Sequence, residues 1–162
     1  MSAHLNEEFE ALYTAHVGMV RQLCLGFCQG REDIAADLCQ DIFVNIWRKL
    51  DQFRGEASAK TWIYRITVNT CLQYQRSPAQ RADASEELPE QLSDFTKSSP
   101  DARREALYRA IGYLPEIDRL IYMLTLEGQS SEQIAACTGL STGGLRVRLH
   151  RSRNKLRQIL KL

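Results

Sequence analysis

From Ser141 to Leu162 the chain carries seven lysines or arginines and no acid, although the whole 162-residue sequence has a formal net charge of only +1. At helical spacing Leu145, Leu149, Leu156, Ile159 and Leu160 fall on one narrow stripe. Arg146, Arg148, His150, Arg151, Arg153, Lys155 and Arg157 take most of the remaining circumference. A helix of this kind packs by one edge and turns the rest towards something negative. Val147 lies opposite the stripe, among the bases, where contact with a thymine methyl suits it better than the protein's own core.

A lone basic run is usually a solvated face, but the residues before it shift the balance. Leu126-Glu-Gly-Gln-Ser-Ser-Glu-Gln-Ile-Ala-Ala-Cys-Thr-Gly-Leu-Ser141 reads as a short helix, a tight turn and a second helix start. Ser130 with Gln133 has capping-box spacing, Ser141 is a natural N-cap, and Gly139 supplies the positive φ of the turn. That is the spacing of a helix-turn-helix, with the basic helix in the position that reads DNA.

A second constellation lies upstream. Phe53, Trp62, Tyr64 and Tyr74 interleave with Arg54, Lys60, Arg65 and Arg76 across a Gly55-centred loop and the helix expected from Thr61 to Arg76. Aromatic faces beside cations suit unpaired bases, with stacking worth roughly 1–3 kcal/mol per base. Some of these rings are core instead: Trp62 and Ile66, four apart, share one apolar face, while Arg65 and Asn69 flank it and stay free for a partner. A third candidate is the polar arc of the helix expected from Glu32 to Leu50. There Asp37, Gln40, Asp41, Val44 and Arg48 oppose a wide apolar arc of Ala35, Leu38, Cys39, Ile42, Phe43, Ile46, Trp47 and Leu50. Such an arc is either a solvated face or a seat for a partner helix.

These pieces sit on an all-helical framework. Residues 1–76 form one small helical domain, opened by a helix over 5–28 that Gly30 ends. Residues 77–100 hold three of the four prolines and a run of acids, the composition of a flexible tether. Residues 101–162 form a second domain, in which Pro115 separates two amphipathic helices ahead of the helix-turn-helix. Residues 107–162 sum to +5, so only this end matches duplex DNA electrostatically.

Composition excludes much else. With 44% hydrophobic and 25% charged residues the chain has an ordinary globular make-up, and no apolar run approaches a membrane span or a signal peptide. Cytoplasmic residence and no membrane insertion are expected. The five cysteines fall inside helical patterns, which favours buried free thiols over a metal or redox site built on Cys24, Cys28 and His16. No nucleotide-binding glycine pattern, catalytic triad or paired metal ligands occurs, so neither an enzyme nor a cofactor is expected.

Taken in order, Asp37-Leu-Cys-Gln-Asp-Ile-Phe-Val-Asn-Ile-Trp47, Phe53-Arg-Gly-Glu-Ala-Ser58 and Thr61-Trp-Ile-Tyr-Arg-Ile-Thr-Val-Asn69 resemble region 2 of sigma-70-family factors, most closely the extracytoplasmic-function (ECF) group. Leu114-Pro-Glu, Glu127-Gly-Gln-Ser-Ser-Glu-Gln-Ile-Ala and Leu140-Ser-Thr-Gly-Gly-Leu-Arg-Val-Arg-Leu-His-Arg-Ser-Arg153 resemble that group's region 4. The resemblance implies a bacterial initiation factor that binds core RNA polymerase, directs it to promoter DNA and is held by an anti-sigma factor. Carried over, Asp37, Gln40, Asp41 and Val44, with Arg48 on the same arc, match the polymerase-docking helix. Phe53, Arg54, Ser58, Lys60, Thr61, Trp62, Tyr64, Arg65 and Asn69 match the part that melts the −10 element and holds a flipped base. Ser141, Thr142, Gly143, Arg146, Val147, Arg148, His150, Arg151 and Arg153 match the helix that reads the −35 element.

Two departures stand out. Gly143-Gly144-Leu145 replaces the group's usual Gly-Thr-Val, and Val147 replaces a small polar residue. The competing reading is a two-domain transcriptional regulator with an N-terminal sensing or dimerising domain. It leaves the Asp37–Arg48 arc and the Phe53–Asn69 segment unexplained.

Overall fold

A computed structural model of the protein describes residues 2–75 and 99–162. The tether expected over 77–100 falls almost wholly outside the described residues. Those residues contain seven α-helices and no strand. They are α1 (Ser2–Phe27), α2 (Glu32–Lys49), α3 (Ala59–Gln75), α4 (Pro100–Ile111), α5 (Glu116–Leu126), α6 (Ser131–Thr138) and α7 (Thr142–Leu160), with a 3-10 turn at Leu50–Gln52 after α2.

Each boundary has a local cause. Gln29 and Gly30 adopt left-handed φ of 61° and 79° and stop α1. Helix α2 begins with Glu32 and Asp33 and ends with Arg48 and Lys49, matching charge to the helix dipole at both ends. The Ser58 hydroxyl accepts from Thr61 N at 3.1 Å where α3 starts, and Ser99 caps α4 by accepting from Ala102 N. Pro115 is the N-cap residue of α5. Inside α3, the buried Thr67 and Thr70 hydroxyls donate to the carbonyls of Ile63 and Ile66, which removes the cost of burying them.

Helices α1, α2 and α3 pack on one another, as do α4 to α7, and the two halves then pack together. The sequence pattern suggests two separate cores; the structure joins them. One continuous cluster of buried side chains runs from Val20 and Phe27 in α1, through Ile42, Ile63 and Cys71, to Leu120, Leu124, Leu145 and Leu160. Two seams link the halves. In the first, the end of α1 meets α4 and α5. Met123 lies directly over Gly26, Gln29 Nε2 donates to Gly112 O at 3.2 Å, Arg119 Nη1 donates to Phe27 O at 3.2 Å, and the Tyr108 hydroxyl donates to Gln22. In the second, α3 meets α6: Arg65 Nε donates to Ala136 O at 3.2 Å and the Cys137 thiol lies 3.8 Å from Thr61 O.

Candidate nucleic-acid interface

The helix-turn-helix is built as the spacing implies. Ser130 accepts from Gln133 N at 3.1 Å while Gln133 Oε1 accepts from Ser130 N at 2.8 Å, a complete capping box. Gly139 takes φ 78° at the turn, and the Ser141 hydroxyl accepts from Gly144 N to open α7. Leu145, Leu156, Ile159 and Leu160 are buried and Leu149 is half-buried, with Ser152 among them.

The bases of α7 divide into two sets. Arg148 Nη1 donates at 3.0 Å to Oδ1 of Asp118, a buried carboxylate in the first turn of α5, and Lys155 Nζ donates to Tyr113 O at 2.7 Å. Both side chains brace α7 against its own half. Arg146, Val147, His150, Arg151 and Arg153 stand exposed, with Ser141, Thr142 and Gly143 at the exposed N-terminus of the helix. Open space lies above Gly143, and Val147 is 51% exposed amid the arginines. Arg146, Val147, His150 and Arg151 form one face at i, i+1, i+4, i+5, the arrangement that lets side chains of a single helix reach base edges and phosphates together. Arg151→Ala is expected to weaken binding to a −35 duplex by about 1–3 kcal/mol, roughly 5- to 150-fold in Kd. Arg148→Ala should act chiefly on stability, since it strands the buried Asp118. Fluorescence anisotropy with matched and mismatched duplexes separates the two; an Arg148→Ala loss confined to one base pair would reverse the assignment.

In the loop and α3 the candidates do not share one fate. Arg54, Ser58, Lys60 and Asn69 are exposed, and Phe53, Thr61 and Trp62 are half-buried. Phe53 packs on Trp62 with ring centroids 4.7 Å apart, leaving the pair at the surface beside Arg54 and Lys60. Arg65 is exposed but its guanidinium is engaged by α6. Tyr64 is placed differently from these. Its side chain is fully buried, so the ring is closed to nucleic acid in this arrangement.

Among the described residues the Tyr64 hydroxyl also has no hydrogen-bond partner, and burial, with Glu127 and Cys137 nearby, pushes its pKa up to about 12. A buried unpaired hydroxyl costs about 1–3 kcal/mol. Tyr64→Phe is therefore expected to raise unfolding stability by about 1 kcal/mol in a urea titration; a loss would show that the hydroxyl is satisfied.

On α2 the polar arc is fully presented: Asp37, Gln40, Asp41, Val44 and Arg48 are all exposed while Ala35, Leu38, Cys39, Ile42, Phe43 and Ile46 are buried. Trp47 departs from its expected place on the core side and is 43% exposed. With Phe9, Tyr13 and Val17 of α1 it rims an apolar groove of about 630 Å³ that also borders Gln40 and Val44. Sequence reading missed this rim. Its signal was an apolar arc on α2 wider than one packed face needs.

The five cysteines are free and buried, and burial pushes the Cys28 thiol up to about 12, far from a reactive thiolate. Among the described residues no group of three or more His, Cys, Asp or Glu is placed to hold a metal ion, and no helix is long and apolar enough to cross a membrane.

Such an arrangement is an all-helical protein with an exposed basic helix-turn-helix face on one half and an exposed polar arc of α2 on the other. Comparison with known proteins narrows the class. A family model described as sigma-70 region 2 matches residues 12–81, and one described as sigma-70 region 4 matches residues 104–156. The ECF RNA polymerase sigma-E factor of Escherichia coli K12 is 34% identical over 134 residues, covering 74% of this chain and 70% of the relative. The sigma factor RpoE solved with the anti-sigma factor NepR from Bartonella quintana superposes with a TM-score of 0.77 at 23% identity, over 96% of this chain and 98% of that one. CnrH, solved with the cytosolic domain of CnrY, superposes at 0.67 with 26% identity, over 94% of this chain and 87% of that one. The chain belongs to the sigma-70 family, in its ECF group, and is a promoter-recognising sigma factor. Its N-terminal half matches sigma region 2, which does not favour the competing reading of a sensing or dimerising domain.

Proposed function

We propose that the sigma activity of this chain is divided among three faces. The α2 arc Asp37, Gln40, Asp41, Val44 and Arg48 docks on core RNA polymerase. The loop before α3, with Phe53, Arg54, Ser58 and Lys60, together with Thr61, Trp62, Arg65 and Asn69, receives the melted −10 strand. The exposed face of α7, Arg146, Val147, His150, Arg151 and Arg153 with Ser141, Thr142 and Gly143, reads the −35 duplex.

The observation that carries this reading is the α2 arc: five exposed residues on a helix whose other side is core, with no ion pair among the described residues to give them a structural task. No step requires a catalytic group, so the chain acts by positioning polymerase, and it does so in the cytoplasm. The complex of the sigma factor RpoE with the anti-sigma factor NepR supports an anti-sigma factor as a third partner here.

The test is run-off transcription with purified core polymerase, genomic promoter fragments and this protein. Discrete transcripts that appear only when the protein is added are expected. No transcripts, together with a shift of duplex DNA by the protein alone, would replace the sigma reading with that of a free-standing regulator.

A further inference from the structure

Gly144 and Val147, the two residues by which α7 departs from the group's usual Thr and small polar residue, meet on one patch of the helix together with Gly143. At about 100° per residue Val147 shares a column with Gly143 and Gly144 one turn earlier and with His150 and Arg151 one turn later. Side chains in a helix lean over the turn before their own Cα, so Val147 projects over the two glycines. Neither has a side chain to cover it. A Cβ at Gly143 would meet nothing within 4 Å, and Val147 is 51% exposed. Branching at Cβ holds a helical valine largely to one rotamer, which fixes where its methyls stand. On the far side His150 Nε2 lies 3.3 Å from Asn154 Nδ2, and Arg146 and Arg151 flank the column. The result is a small apolar notch among cations, in the first two turns of a helix that enters the major groove by its N-terminal end.

Val147 has neither a donor nor an acceptor, so no polar group on a base edge rewards its place there. The major groove offers one apolar group, the C5 methyl of thymine, beside its donors and acceptors. A cytosine methylated at C5 carries the same group at the same ring position.

We propose that Gly143, Gly144 and Val147 form a notch that reads the C5 methyl of one pyrimidine in the −35 element, carried by thymine or by 5-methylcytosine. The inference rests on the assignment of the exposed face of α7 to the −35 duplex. It adds that one position of the promoter is recognised by a methyl group and not by hydrogen bonds. Methylation of a cytosine at that position therefore turns an unread base pair into a read one.

The test uses holoenzyme assembled from core polymerase and the full chain, with promoter fragments randomised across the −35 element. Bound fragments are sequenced for wild type and for Val147→Ser. The substitution lies at an exposed position and should leave the circular dichroism melt close to that of wild type. Gly143→Leu, which fills the notch from a position where a Cβ meets nothing within 4 Å, is the second variant.

Wild type should enrich a T·A pair at one position that neither variant enriches. Deoxyuridine at that position pairs as thymine does and lacks only the methyl. It should lower wild-type affinity roughly fourfold, the worth of about 0.8 kcal/mol for one buried carbon, and leave both variants unmoved. With C·G at the same position, 5-methylcytosine should raise wild-type affinity over cytosine by a similar factor. A response to deoxyuridine without one to 5-methylcytosine supports the notch with thymine as its sole source of the methyl. The absence of any thymine-enriched position, or a deoxyuridine loss equal in wild type and Val147→Ser, overturns the proposal. A holoenzyme that enriches no sequence across the −35 element removes the assignment of α7 itself, whereas enrichment without a methyl response removes only the notch.

Discussion

Phe27→Ala is expected to lower the unfolding free energy by about 3–5 kcal/mol, the usual cost of emptying a large aromatic site in a closed core. Phe27 is 1% exposed at the end of α1, its carbonyl accepts from Arg119 Nη1, and the Arg119 guanidinium lies 5.8 Å from its ring centroid. The cavity would therefore open at the seam between the halves, where neither side can collapse into it alone. Against a typical total of about 5–15 kcal/mol this is a large share, and it corresponds to a fall of roughly 6–20 °C in Tm.

The same variant tests whether the two halves form one cooperative unit. Both tryptophans, Trp47 and Trp62, belong to the N-terminal half, whereas helical circular dichroism reports all seven helices. Urea transitions followed by the two signals should coincide in wild type and shift together in Phe27→Ala. A circular dichroism component that keeps the wild-type midpoint would mean that α4 to α7 fold independently of Phe27.

What the sequence discloses and what it conceals divide by range. Helix ends at Gly30, Pro115, Ser130, Gly139 and Ser141 are legible because caps and breakers act over four residues or fewer. The exposed faces of α2 and α7 are legible because a 3.6-residue period records which side is buried. Tyr64 is not legible. Beside Lys60 and Arg65 it has the composition of a stacking platform, and only the arrival of α6 and α5 from the other half buries it. Arg148 is hidden for a similar reason, since its partner Asp118 is thirty residues away and looks like an ordinary first-turn acid. Trp47 errs in the other direction: the period places it with the core, but α1 covers only part of its ring and leaves an open groove. In each case a contact between elements decides the outcome, and local pattern carries no record of it.

Asp41→Arg separates stability from function by moving them in opposite directions. Asp37 and Asp41 are four apart on the exposed arc of α2, and neither has an ion-pair partner among the described residues. Like charges at this spacing cost a helix about 0.2–0.5 kcal/mol, and an acid four residues ahead of an arginine returns a similar amount. The substitution should therefore leave the fold intact and raise its stability slightly, within about 0.5 kcal/mol. At a docking surface, reversing a charge that meets a complementary partner costs about 2–5 kcal/mol, roughly 30-fold to several thousand-fold in affinity. Asp41→Arg is accordingly expected to abolish run-off transcription with core polymerase while its melting temperature holds or rises and its affinity for a −35 duplex is unchanged. Transcription at the wild-type level would remove Asp41 from the polymerase contact. A variant that loses transcription, duplex binding and stability together would instead make Asp41 a structural residue, which its exposed position on α2 gives no reason to expect.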